Sequence, residues 1–248
     1  MSVSKQYVFG IHAVTALIEK HPERIIRLLA AEERGDKKMA ALLKLARRQG
    51  VDIGEASHAE LDNLTGGGNH QGIAAFCAKA RTYTESDLAS MLEDLKEPAF
   101  FLILDGVQDP HNLGACFRSA DAAGVHAIIA PRDNAVSITP VVSKVACGAA
   151  ETVPFIQVTN LARTMDVLKD LGIWIYGAAG EATDTIHKTD FKGSVAVVLG
   201  AEGEGLRRLT RDKCDGLIKI PMRGTVESLN VSVATGVILF EVVRQRTR

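Results

Sequence analysis

Four apolar runs in the second half of the chain restrict its fold more than any other feature: FFLILDGV (100–107), VHAIIAP (125–131), IWIYGAAG (173–180) and SVAVVLG (194–200). They are apolar at successive positions, so both faces of each strand need cover. Helical stretches alternate with them, among them NLGACFRSADAAG (112–124), NLARTMDVLKDLG (160–172) and PVVSKVACGAAETVP (140–154). FIQV and GLIKIPM add shorter strands, and SLNVSVATGVILFEVVRQR reads as a closing helix. This alternation predicts an α/β fold with a mainly parallel sheet covered on both sides. Ligands of such sheets gather beyond the carboxyl ends of the strands. The places to search are therefore the segments after LILDG, IYGAAG, VVLG and IKIP.

The first half has a different rhythm. VFGIHAVTALIEKH sets Val14, Leu17 and Ile18 at helical spacing, and RIIRLLAA follows as a short strand. KKMAALLKLARRQG places Met39, Leu42, Leu43 and Ala46 on one helical face and stops at Gly50. VDIGEAS, AELDNLTG and GIAAFCAKA continue as strand, helix and strand. The expected order is helix–strand three times over, a small α/β layer. The chain of 248 residues thus divides into a first domain at 1–78, a linker at 79–98 and a second domain at 99–248. Within the linker, Thr84 is placed to cap a short helix with Asp87 three residues on.

Composition removes several functions. No uninterrupted apolar run reaches a membrane-spanning length, and MSVSKQYVFGIHA has no leader-like apolar core, so a cytoplasmic protein without a membrane partner is expected. Cys77, Cys116, Cys147 and Cys214 are scattered, and His70, His111 and His126 lack a paired spacing, so no metal is assigned. The net charge of -1 gives no global signal for nucleic acid. The cationic positions are local: Lys37, Lys38, Lys44, Arg47 and Arg48, the tail RQRTR, and Arg132 and Arg223. Each reads either as a solvated face or as a phosphate contact. GAEGEG does not fit GxGxxG, no Walker A loop is present, and there is no GxSxG elbow. The glycines of LGAEGEGLRRLT suit close backbone approach to an uncharged or cationic ligand.

Three blocks, DPHNLGACFRSADAAG, LGAEGEGLRRLT and IPMRGTVESLNVSVATGVILFE, resemble in order and spacing the signatures of the SpoU (TrmH-like) family of RNA 2'-O-ribose methyltransferases. FGIHAV and HQGIAA resemble the small N-terminal domain of the bacterial branch that acts on 23S ribosomal RNA. The resemblance implies a trefoil-knotted, SPOUT-like methyltransferase domain with S-adenosylmethionine bent into the knot. It also implies an N-terminal substrate-binding domain like ribosomal protein L30e, and a homodimer. The implied target is a guanosine ribose of the peptidyl-transferase centre in 23S rRNA or a pre-ribosomal particle. A transfer-RNA target and a non-catalytic RNA-binding role are the alternatives.

On this resemblance the cofactor lies against Ala178, Ala179, Gly180, Gly200, Gly203, Gly205, Ile220, Met222 and Leu229. The polar set is Asn112, Arg118, Glu204, Ser228 and Asn230. Family proposals make Arg118 the group that activates the hydroxyl, but a free guanidinium keeps its proton far above neutral pH. The other role for it is a bidentate clamp on the neighbouring phosphate, which then receives the proton. Glu204 pairs either with Arg118 or with a substrate hydroxyl. Asn230 bonds Glu204, the ribose or backbone, and also suits the N-cap of the last helix, as does Ser228. Asn112 serves either as a cap or as a ribose contact.

Overall fold

The computed structural model describes residues 5–31 and 37–247. Arg248 of the basic tail and the first four residues of the leader reading lie outside them. The chain divides into two units, 1–81 with 147–152, and 82–146 with 153–248.

The first unit opens with a strand, β1 (Lys5–Phe9), followed by α1 (Ile11–Lys20), β2 (Ile25–Ala30), α2 (Lys37–Arg48), β3 (Ile53–Glu55), α3 (His58–Thr65) and β4 (Ile73–Ala78). The expected order lacked β1. Its five residues, KQYVF, pair antiparallel with β4 from Lys5↔Ala78 to Phe9↔Ala74, and no local pattern announces that distant partner. The sheet order is β1-β4-β2-β3. Val14, Leu17 and Ile18 of α1 and Met39, Leu42 and Ala46 of α2 bury one face of it. Leu61 of α3 packs with Ala74 and Tyr7 in a separate cluster. Ser57 and Glu60 close a capping box on α3, with Ser57 N–H donating to Glu60 Oε2 at 2.7 Å.

The second unit contains α4 (Leu88–Glu93), β5 (Phe100–Asp105), α5 (Pro110–Ala123), β6 (Ala127–Pro131) and α6 (Pro140–Ala146). The helix read through 140–154 breaks at Cys147 and Gly148, where φ is +52° and +100°. Its second piece, α7 (Ala149–Thr152), belongs to the first unit. The second unit resumes with β7 (Phe155–Val158), α8 (Leu161–Asp170), β8 (Trp174–Ala178), β9 (Asp184–Thr185), β10 (Val195–Gly200), α9 (Arg208–Lys213), β11 (Gly216–Lys219) and α10 (Val231–Arg246). Its seven strands run β7-β6-β5-β10-β8-β11-β9, and every pairing is parallel. Phe101 and Ile103 of β5 pack with Met165 and Leu168 of α8. The alternate residues, Phe100, Leu102 and Leu104, face the other way, and α5 and α10 pack against each other. Leu88 of α4 is fully buried in the cluster of Phe101 and Met165, and Thr84 forms its capping box with Asp87 on the 3-10 turn Glu85–Asp87 that leads into α4, not on α4 itself.

Two polar devices secure α10. Arg246 donates to the carbonyls of Phe191, Pro98, Ala99 and Gly193 and lies 4.9 Å over the Phe100 ring. One turn earlier, Glu241 is 6% exposed and accepts from Arg244 Nε at 2.8 Å and Gln245 Nε2 at 2.9 Å. The Arg244 hydrogen bonds hold its carboxyl down at about 2, against an ordinary 4.5. A carboxyl depressed on folding stabilises the fold above its unfolded pKa and loses that contribution as pH falls through the folded one. Wild type is therefore expected to lose this contribution between about pH 4.5 and 2. In urea titrations across that window, Glu241→Gln should show the shallower pH dependence; parallel curves would remove the assignment.

Candidate active site

The carboxyl ends of β8, β10 and β11 open onto one cleft of about 990 Å³. Three loops wall it, 178–181, 199–206 and 220–230, closed below by Val231, Ala234 and Ile238 of α10. Ala178, Ala179, Gly180, Gly200, Gly203, Gly205, Ile220, Met222 and Leu229 all line it, as do Glu204, Ser228 and Arg223. The site sits where parallel strands end, as the sheet rule requires.

The loop after β10 folds back hard. A Cβ on Gly200 would lie 2.0 Å from the carbonyl carbon and oxygen of Gly205. Gly205 N–H donates to Ala201 O at 3.0 Å, and Gly203 turns the chain at φ +81°. The glycines thus let backbone pass backbone and leave main-chain groups along the cleft wall.

Asn230 joins the three sequence blocks. Its Oδ1 accepts from Ser232 N–H at 2.9 Å, so it is the N-cap of α10. Its Nδ2 donates to Asn112 Oδ1 at 3.0 Å and also to Glu202 Oε1. Two expectations change here. The carboxylate that Asn230 meets belongs to Glu202, while Glu204 is exposed on the cleft wall. The sequence places both glutamates in AEGEG, and only the turn at Gly203 decides which one points back. Asn112 does not cap: Asp109 caps α5, accepting from His111 N–H at 2.8 Å, and Asn112 lies buried in the first turn with Asn230 as its partner.

Arg118 lies further along α5, exposed, and has no hydrogen bond or ion pair among the described residues. It does not line the cleft, and the expected pairing with Glu204 is not formed. Ser228 is exposed on the loop before α10, and Ser228 does not cap that helix. Lys37, Lys38, Lys44, Arg47 and Arg48 are exposed along α2, which carries no acidic residue. Arg132 is exposed just past β6, and Arg223 on the cleft rim. Two histidines are held by the fold. His70 Nδ1 accepts from Gly72 N–H at 3.0 Å and its Nε2 meets Asp62, while His126 Nδ1 accepts from Phe100 N–H at 2.9 Å and its Nε2 meets Glu97. No helix among the described residues is long and apolar enough to cross a membrane.

The chain that builds this parallel sheet, with the Asn112–Asn230–Glu202 cluster beside a glycine-walled cleft, matches known families along most of its length. Residues 99–240 match the SpoU rRNA Methylase family, and residues 7–83 match the RNA 2'-O ribose methyltransferase substrate binding family. The chain belongs to the SpoU family of RNA methyltransferases. It is 54% identical over 241 residues to the 23S rRNA (guanosine-2'-O-)-methyltransferase RlmB of Yersinia pestis, covering 97% of this chain and 98% of that one. Against the protein of the same name from Escherichia coli K12 the identity is 54% over 242 residues, covering 98% and 99%. Among solved structures, the SpoU methyltransferase AviRb of Streptomyces viridochromogenes, in complex with AdoMet, superimposes with a TM-score of 0.75. That match has 24% identity and covers 98% of this chain and 91% of that one.

Proposed function

We propose that this chain transfers a methyl group from S-adenosylmethionine to the ribose 2'-hydroxyl of a guanosine in the peptidyl-transferase centre of 23S ribosomal RNA. The observation that carries the reading is the meeting of Asn112, Glu202 and Asn230, one residue from each block, beside a cleft walled by backbone. Its near-full-length identity with relatives named for that reaction supports the target.

The residues present fit the cofactor. Ile220, Met222 and Leu229 offer apolar walls, and the loops at 178–180 and 200–205 offer backbone donors and acceptors for a heterocycle. Glu202, Glu204 and Glu227 line the same cleft together with Lys219 and Arg223, so carboxylates are at hand for a sulfonium cation and cations for a substrate phosphate. Its volume lies at the upper end of the roughly 300–1,000 Å³ usual for small-molecule sites, leaving space for part of a nucleotide. When bound, S-adenosylmethionine supplies an electrophilic methyl carbon.

The chain's own residues do the positioning. Asn230, fixed at the head of α10 and between Asn112 and Glu202, orients polar groups at the cleft mouth. Arg118 clamps a phosphate of the substrate strand with paired N–H donors. Held in that way, the phosphate lies beside the 2'-hydroxyl and is placed to accept the proton that the hydroxyl must lose. The cationic face of α2 contacts further phosphates, within a substrate-binding domain at 1–78 joined through 79–98 to the catalytic domain at 99–248.

We also infer a knotted, SPOUT-like topology and a homodimer. Support for the knot is the return of the last segment: β11 lies beyond β8, yet α10 packs on α5, the helix after β5. Support for the dimer is an exposed stripe on α10, Val233, Val237 and Phe240, opposite its buried face. A helix apolar all round asks for cover on both sides. Purified protein given labelled S-adenosylmethionine should yield 2'-O-methylguanosine from a 23S transcript carrying the peptidyl-transferase region. Label on transfer RNA alone would contradict the target.

A further inference from the structure

We propose that Asp105 and Arg207, neither of which lines the cleft, form a positioning pair that sets the cofactor-binding loop 201–206 for methyl transfer. The proposal rests on the function proposed above and extends it to residues outside all three blocks' polar set.

Asp105 ends β5, and its side chain is 0% exposed. In the β5–β10 ladder its register partner is Gly200, the residue at which the cleft loop departs. The loop runs out, turns at Gly203 and returns, and at its far end Arg207 N–H donates to Asp105 Oδ2 at 3.0 Å. Arg207 Nε donates to Asp105 Oδ1 at 2.6 Å, and Nη2 reaches the same oxygen. One buried residue therefore holds both ends of the loop, the first through the sheet and the second through its carboxylate. Between these anchors lies Glu202, which accepts from Asn230. Leu206, just before Arg207, packs toward Gly177, where a Cβ would meet its Cδ1 at 2.7 Å. The carboxylate is satisfied by main-chain and side-chain donors together, and such charge-assisted bonds are the short, strong ones. A loop fixed at one end only would carry Glu202 and the main-chain wall away from the cofactor, and displacements near 1 Å cost roughly 100-fold in rate.

The test is steady-state kinetics on the full-length enzyme with a 23S transcript, varying S-adenosylmethionine and RNA separately. The variants are Asp105→Asn, Asp105→Ala and Arg207→Gln. A variant that merely unfolds in part loses kcat and keeps both KM values, because only the active fraction falls. A displaced loop raises KM for S-adenosylmethionine, here roughly tenfold, and leaves KM for RNA within about twofold. Asp105→Asn, which keeps one oxygen for the Arg207 N–H, should be milder than Asp105→Ala. Arg207→Gln changes a side chain that is 47% exposed and decides the matter if the Asp105 variants do not fold. Unchanged KM for S-adenosylmethionine in folded, transferring variants overturns the pairing alone. Absence of transfer by the wild type overturns the proposed function instead.

Discussion

Replacing Gly200 by alanine is expected to abolish cofactor binding and methyl transfer together. The added Cβ would sit 2.0 Å from Gly205 C and O and 2.4 Å from Leu206 N, all of them backbone. No rotamer relieves that overlap, so the loop must move off the end of β10. Overpacking of this kind costs about 3 kcal/mol. For a unit of this size the thermal midpoint should fall by roughly 6–12 °C. Gly203, three residues on, is the internal control. A Cβ there meets nothing within 4 Å, and the only cost comes from its φ of +81°. Left-handed backbone costs an ordinary residue about 1–2 kcal/mol. Calorimetric titration with S-adenosylmethionine should find binding lost in Gly200→Ala and retained in Gly203→Ala. Wild-type affinity in Gly200→Ala would mean that the loop does not form the cofactor wall.

The second large effect is on turnover. Arg118 has no partner among the described residues, so its loss should leave the fold unchanged. If it clamps the substrate phosphate, Arg118→Ala should lower kcat by roughly 100-fold, the usual effect of removing one donor aimed at developing charge. Affinity for S-adenosylmethionine should stay within about twofold, because Arg118 lies outside the cleft. Lysine carries the charge without the planar fork, so Arg118→Lys should recover only part of the lost rate. Wild-type kcat in Arg118→Ala would remove the residue from the mechanism.

The two sites differ in how far a sequence can announce them. Successive apolar residues such as FFLIL and VAVVL identify buried parallel strands directly, because both faces must be covered. Strand order is another matter. β10 lies between β5 and β8, a placement set by packing over about a hundred residues and by no local signal. β1 escaped for the same reason: five residues of mixed polarity become a strand only beside β4. β9, at two residues, is shorter than any periodicity can register. In the site, the glycines and the N-cap role of Asn230 follow from residue type. Glu202 and Glu204 share one motif, and the turn between them picks the partner of Asn230. Asp105 is visible as a charge ending an apolar run, but its donor is 102 residues away.

The measurement closest to the central claim is nucleotide-resolved mapping of 2'-O-methylation in total RNA from cells with and without this gene. The expected result is loss of a single guanosine mark in the peptidyl-transferase region of 23S rRNA, restored by the wild-type gene and not by Arg118→Ala. Loss of a transfer-RNA mark instead, or of no mark at all, would contradict the assignment.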